Sequence, residues 1–248
     1  MKKVFAFVIM TLSLYCFAQN DANEIIEQFK QKFLKYDSIM SMKATYKTTF
    51  YNEETTYSST IKIISRGQKI KTEITSDSDE FKEVQQLSTT IIKDGNNIYL
   101  INPITGKVKI KDEDKNNYLQ DKGTQFWKLN FDDYVYNGIQ EINKTQTYLF
   151  SKKDDKNSKI FIDKKNLFVV QQQEISKSDT LLLSFENYKK IQSDYFIPHT
   201  IILKINGKKI MLMELKNIII NPKVDDSEFE VKEDKSIDIQ ELMKNLGQ

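Results

Sequence analysis

The sequence predicts an α+β protein built around one broad antiparallel sheet. Three observations point there. The stretch from Lys159 to Leu203 holds four strand-length apolar runs, Ile160–Ile162, Leu167–Val170, Leu181–Phe185 and Phe196–Leu203, separated by short polar turns. From Met42 the apolar residues recur with period two, which gives strands one greasy and one wet face. Before them, Ile25, Ile26, Phe29, Phe33 and Tyr36 recur at helical spacing. About eleven strands follow from these patterns, and a sheet that wide twists into a barrel or half-barrel.

The elements are read in order. Met1 to Ala18 reads as a secretory signal: Lys2 and Lys3 form the charged start, Val4–Tyr15 the apolar run, and Ala18 the cleavage position. The rival reading lipidates Cys16 and anchors the chain there. Residues 19–248 are expected to form a single domain. It opens with the amphipathic helix over 21–40, started by the capping pattern Asp21-Ala22-Asn23-Glu24. Met42–Phe50, Tyr57–Ile63 and Ile70–Ile74 make a first meander. A second starts near Thr89, turns at Asp94-Gly95-Asn96 and continues through Ile98–Ile101 to Val108 and Ile110. Asp112–Gly138 breaks the rhythm and reads as short helices or an ordered insertion. Strands resume at Thr147. Pro198 predicts an edge or bulge in its strand, and Asn206-Gly207 a tight hairpin before Ile210–Ile220. Asp226–Val231 reads as extended, and residues 236–246 as a short C-terminal helix.

Composition excludes several classes. Net charge is +2, and leaving out Lys2 and Lys3 gives 37 − 2 = 35 basic against 35 acidic residues. Arg66 is the only arginine, so no nucleic-acid partner is expected. Seven glycines and no G-x-G-x-x-G or Walker pattern leave no phosphate loop. His199 is the only histidine and Cys16 the only cysteine, too few for a zinc site. Without a nucleophile elbow, His199 after Pro198 reads as a structural or exposed histidine. We therefore expect no enzyme, no catalytic residue, no metal and no cofactor.

Several stretches together resemble the outer-membrane lipoprotein carrier and sorting family, the LolA-like proteins. Ser65-Arg66-Gly67 with Ile70–Glu73 is similar to the family's arginine turn. Asp94–Pro103 resembles its early hairpin, and Ile160–Asp163, Phe185–Tyr188 and Ile197-Pro198 its central meander. Asn221 with Asp225, Asp226 and Phe229 resembles its terminal motif. Gly67 stands where the family has proline, and Tyr99 where it commonly has tryptophan. The resemblance implies an unclosed β-barrel capped by helices, an apolar cavity for acyl chains of lipoproteins or another lipid, and Arg66 bonded to a lid. It also implies a periplasmic monomer that meets an inner-membrane release complex and an outer-membrane acceptor. On this reading the lining includes Phe50, Ile61, Ile63, Ile74, Ile92, Tyr99, Phe126, Trp127 and Phe161. The pattern alone fits a filled core equally well. The alternative function is an envelope sensor or adaptor of the same fold that binds a protein by strand addition.

Overall fold

A computed structural model describes residues 22–77, 88–95, 97–102, 106–110, 129, 131–192 and 195–230. The predicted signal at 1–18, Phe126, Trp127 and the predicted helix at 236–246 lie outside the described residues. Helix α1 covers 22–33 and runs into a 3₁₀ turn, Leu34–Ser38. Thirteen strands follow. They are β1 (Ser41–Tyr51), β2 (Thr56–Arg66), β3 (Lys69–Ser76), β4 (Thr89–Asp94), β5 (Asn97–Asn102), β6 (Gly106–Lys109) and β7 (Tyr134–Ile142). They continue as β8 (Thr145–Lys152), β9 (Ser158–Asp163), β10 (Val169–Ile175), β11 (Thr180–Ile191), β12 (Tyr195–Ile205) and β13 (Lys208–Ile220).

All thirteen belong to one antiparallel sheet in the order β6-β5-β4-β3-β2-β1-β13-β12-β11-β10-β9-β8-β7. Apart from β1 against β13, every neighbour in this order is also a neighbour in sequence, as short turns dictate. Among the described residues β6 and β7 end the order and are not paired with each other, so the sheet is not closed.

Contacts cluster into two compact units. Among the described residues, one comprises 22–38, 129, 131–185 and 204–207. Its core is aromatic. Cross-strand pairing puts Tyr136, Phe150 and Ile160 on one face of β7, β8 and β9, and α1 lays its apolar stripe there. Phe29 meets Phe131 edge-on at 5.0 Å, and Phe131 meets Phe150 at 5.4 Å. Phe33 and Tyr36 continue the stack at 4.5 and 4.9 Å. Phe150, Ile160 and Ile162 are fully buried beneath it.

The larger unit comprises, among the described residues, 39–77, 88–95, 97–102, 106–110, 186–192, 195–203 and 208–230. Its ends are tied by Asn221, which sits in the left-handed region with φ of +53°. Asparagine tolerates that conformation because its short amide bonds locally. Here Oδ1 accepts from the backbone N–H groups of Met40 (2.8 Å) and Ser41 (3.3 Å), while the Ser41 hydroxyl donates to the Pro222 carbonyl at 2.7 Å.

Three expectations are corrected. Part of the segment read as an insertion, Tyr134–Gly138, is strand β7, preceded by a 3₁₀ turn at Phe131–Asp133. Asn137-Gly138 mimics a hairpin turn but is a bulge: the register with β8 shifts between Tyr136 and Ile139, and Gly138 has φ of +97°. Pro198 is on no edge, because β12 lies between β11 and β13 and the ring is fully buried. On the neighbouring β11, Asn187 is left-handed at φ +54° and its amide donates to Thr200 Oγ1 at 2.9 Å. Asp226–Phe229 is a 3₁₀ turn rather than extended chain, which lets Phe229 swing back onto the sheet.

Candidate functional site

Register sorts the apolar residues of the larger unit onto two faces. Residues directly opposite in an antiparallel pair point the same way. Phe50 faces Tyr57 and Met211; Tyr46 faces Ile61 and Leu215; Ala44 faces Ile63. Ile61 in turn faces Ile74, and Ile63 faces Thr72, which faces Ile91 and through it Leu100. Phe50, Ile61, Ile63 and Ile74 therefore share one apolar face that runs from β13 through β1, β2 and β3. Phe50 and Tyr57 stack at 5.1 Å. Ile61 and Ile63 are buried, while Phe50, Ile74, Met211 and Met213 keep part of their surface exposed. At the paired positions from β13 to β3 this face carries no charged side chain, but it does carry hydroxyls, among them those of Tyr46, Thr48, Ser59, Ser65 and Thr72. Burial pushes the Tyr46 phenol up to about 12, so it stays neutral. The Thr48 hydroxyl is fully buried and has no hydrogen-bond partner among the described residues.

Ile92 and Tyr99 do not belong to this set. Ile64 pairs with Lys71, Lys71 with Ile92, and Ile92 with Tyr99, which puts all four on the opposite face. That face is covered by residues 221–230. Val224 and Phe229 pack on Ile92, flanked by Ile64 and Ile101. Phe161 is 2% exposed, but it lies on the face of β9 away from Ile160 and Ile162 and belongs to the other unit. Of the seven predicted lining residues that the structure describes, four are thus brought together; Phe126 and Trp127 lie outside the described residues.

Arg66 sits on the covered face and holds the covering segment. Its Nη1 donates to the Val224 carbonyl at 2.6 Å and its Nη2 to Asp226. Lys69 donates to the same Asp226 carboxylate at 3.1 Å and lies 3.6 Å from Asp94. Lys43 pairs with Glu228 at 3.0 Å. Hydrogen bonds from Arg66 first, and Lys69 second, hold the Asp226 carboxyl below the usual carboxylate range. The bond to Asp226 likewise raises the Lys69 ammonium above its ordinary value. Lys43 and Lys69 escaped the sequence reading. The signal was present as Val224-Asp225-Asp226-Ser227-Glu228-Phe229, acids framed by two apolar anchors opposite basic strand residues.

Among the described residues of this arrangement no acid or nucleophile is bonded to the one histidine. His199 Nε2 is buried without a hydrogen-bond partner among the described residues, and desolvation, aided by Lys189, pushes the imidazole below its ordinary pKa. A neutral ring with no acid or nucleophile bonded to it fits a structural role. Among the described residues no group of three or more His, Cys, Asp or Glu could hold a metal, and no helix is long and apolar enough to cross a membrane.

Solved structures share this architecture. A domain assigned to outer membrane lipoprotein sorting, from Vibrio parahaemolyticus, aligns with TM-score 0.58 over 83% of this chain and 94% of its own, at 14% identity. A LolA superfamily protein from Nitrosomonas europaea aligns with TM-score 0.54 over 83% of this chain and 97% of its own, at 12% identity. The fold is LolA-like. A DUF1329 family protein from Desulfovibrio piger carries it too, with TM-score 0.56 at 13% identity over 84% of this chain and 95% of its own. No protein-family model matches the chain and no curated protein sequence does. At these identities the LolA-like likeness is one of fold alone.

Proposed function

We infer that this chain is a periplasmic carrier that shelters acyl chains of lipoproteins, or of another lipid, and moves them toward the outer membrane. A sixteen-carbon chain exposed to water costs roughly 12 kcal/mol, at about 0.8 kcal/mol per CH₂. Such a cargo crosses an aqueous compartment only when something apolar covers it. The observation that supports the reading is the face shared by Phe50, Ile61, Ile63 and Ile74, which is free of charged side chains at the paired positions from β13 to β3 and partly uncovered. The LolA-like fold adds weight. The lid contact expected of Arg66 is, on this reading, its hold on residues 221–230. The carrier acts as a monomer over 19–248, and no step requires a catalytic residue.

Uptake of a fluorescent fatty acid or a labelled lipoprotein by the folded protein tests this. Saturable, reversible binding without turnover is expected. Absence of uptake by protein with a cooperative unfolding transition would discard it. The rival reading, an envelope sensor or adaptor, draws on the edge strand β7, where Val135 and Ile139 are exposed. A pull-down that returns one envelope protein and no lipid would favour it.

A further inference from the structure

Two hairpin turns of the helix-bearing unit, β7–β8 and β9–β10, form an open groove of about 540 Å³ lined by Lys144, Thr145, Gln146, Asp163, Lys164 and Lys165. The turns are joined through the Lys164 N–H, which donates to the Gln146 carbonyl at 3.0 Å. We propose that this lysine-edged groove is a docking surface for an anionic phospholipid bilayer.

Three features carry the proposal. The first is the strained lysine. Asn143 and Lys144 both lie in the left-handed region, at φ +48° and +67°. That is the geometry of a type I′ hairpin, whose second position favours glycine. The β2–β3, β4–β5 and β12–β13 turns of this same chain place Gly67, Gly95 and Gly207 in left-handed conformation. Among the described residues only the β7–β8 hairpin keeps a lysine there, against its conformational preference, and strain held in place at a surface points to use of the side chain.

The second feature is the charge. Among the described residues no carboxylate is paired with Lys144, Lys164 or Lys165. The groove's one acid, Asp163, is turned inward on its own loop. It accepts from the Lys165 N–H (2.7 Å), the Asn166 N–H (3.3 Å) and the Asn166 side-chain amide (3.1 Å). Glu141, cross-strand from Gln146, is the other acid at this end of the hairpin. Lys32 comes from α1 to the same turn, donating to the Asn166 carbonyl with its ammonium 3.9 Å from the Phe168 ring centre.

The third feature is what the groove lacks. A small phosphate is gripped by converging backbone N–H groups or an arginine fork. Here the two loop N–H groups are spent on Asp163, and all three basic residues are flexible lysines. Point charges on long stems around an open surface suit a sheet of headgroups, where each lysine near the surface adds about fivefold to binding. The proposal does not rest on the cargo reading, since acyl uptake is measured separately.

Sedimentation of the purified protein with vesicles tests it. Phosphatidylcholine vesicles containing phosphatidylglycerol should bind it at low salt, pure phosphatidylcholine should not, and added salt should release it. Replacing Lys144, Lys164 and Lys165 by Gln should weaken binding about 100-fold. Replacing Lys152, Lys153 and Lys156, exposed at the other end of β8, removes the same net charge and should change it less than about threefold. Lys144→Gly separates docking from architecture: it should raise the unfolding temperature by relieving the turn, yet weaken vesicle binding about fivefold. Equal losses in the two triple variants, or no preference for anionic vesicles, would overturn the proposal. So would inorganic phosphate that stabilises the wild type and not the groove variant, marking a discrete phosphate site. Binding of an acidic peptide by protein that ignores vesicles would overturn it in favour of a protein partner.

Discussion

Arg66 joins strand to strap through a neutral carbonyl and a charged carboxylate, and the two bonds respond differently to pH. The bond to the Val224 carbonyl is indifferent to acid, whereas the bond to Asp226 requires the carboxylate. Because the folded-state pKa of Asp226 is depressed, its contribution is fully present above the ordinary aspartate range. It is lost as pH falls through the lowered folded value. Asp226→Asn should therefore lower the unfolding temperature at neutral pH and leave it unchanged in strong acid; a difference that persists in acid would remove the ion pair as its cause. Lys69 has the opposite sign: its raised pKa means its contribution is full below the ordinary lysine value and fades as pH climbs past the raised one. Arg66→Leu removes both bonds and leaves a half-buried carbonyl unpaired, at a cost of about 1–2 kcal/mol by urea denaturation. Leucine in place of arginine should shift the midpoint at every pH, which distinguishes it from the Asp226 variant.

At the scale of elements, the strap formed by 221–230 stands on apolar anchoring more than on charge. Phe229 is 3% exposed and Val224 5%, both against Ile92. Phe229→Ala should cost about 3 kcal/mol, the lower end for a buried aromatic, because the strap can settle onto the sheet. If the acyl face is the one carrying Ile61 and Ile63, that variant should still take up a fatty-acid probe at temperatures where it is folded. Much of this element structure could be read from the sequence. Alternation along β1, and through Ile61, Lys62 and Ile63 in β2, marked the face of Phe50, Ile61 and Ile63, because a half-buried strand exposes every second residue; only Ile64 breaks it, and Ile64 lies under the strap. In β4 and β5 the residues Ile91-Ile92 and Ile98-Tyr99-Leu100-Ile101 run together. A strand apolar on both sides carries no periodicity, so the choice of Ile92 and Tyr99 over Ile91 and Leu100 had no physical signal behind it. The cause lies elsewhere in the chain: the strap makes the second face apolar as well. Strand β7 was hidden for another reason. Its Asn137-Gly138 has the composition of a turn, and only the pairing with β8 shows that the left-handed glycine makes a bulge.

For the whole molecule, the decisive fact is that the first and last strands are neighbours. β1 pairs with β13 from Met42–Ile220 to Phe50–Met211. The candidate acyl face is thus assembled from both ends of the sheet-forming chain and exists only when the fold is complete. Cargo bound there must therefore stabilise the folded protein by mass action, about 2.7 kcal/mol with ligand at a hundred times its Kd. The sidedness of the sheet makes this linkage specific. Ile74, partly exposed on the acyl face, can be changed to Gln with little disturbance of packing while roughly 1–2 kcal/mol of apolar contact to cargo is lost. Probe affinity should then fall about tenfold, and the ligand-induced rise in unfolding temperature should shrink at fixed probe concentration. Ile92→Val, under the strap, should behave in the reverse manner. It should lower stability by about 1 kcal/mol through lost packing and leave the probe's affinity untouched. Thermal unfolding with and without probe measures both quantities on the same samples. If Ile92→Val weakened the probe while Ile74→Gln did not, the cargo would lie beneath the strap, and Arg66 would be its gatekeeper.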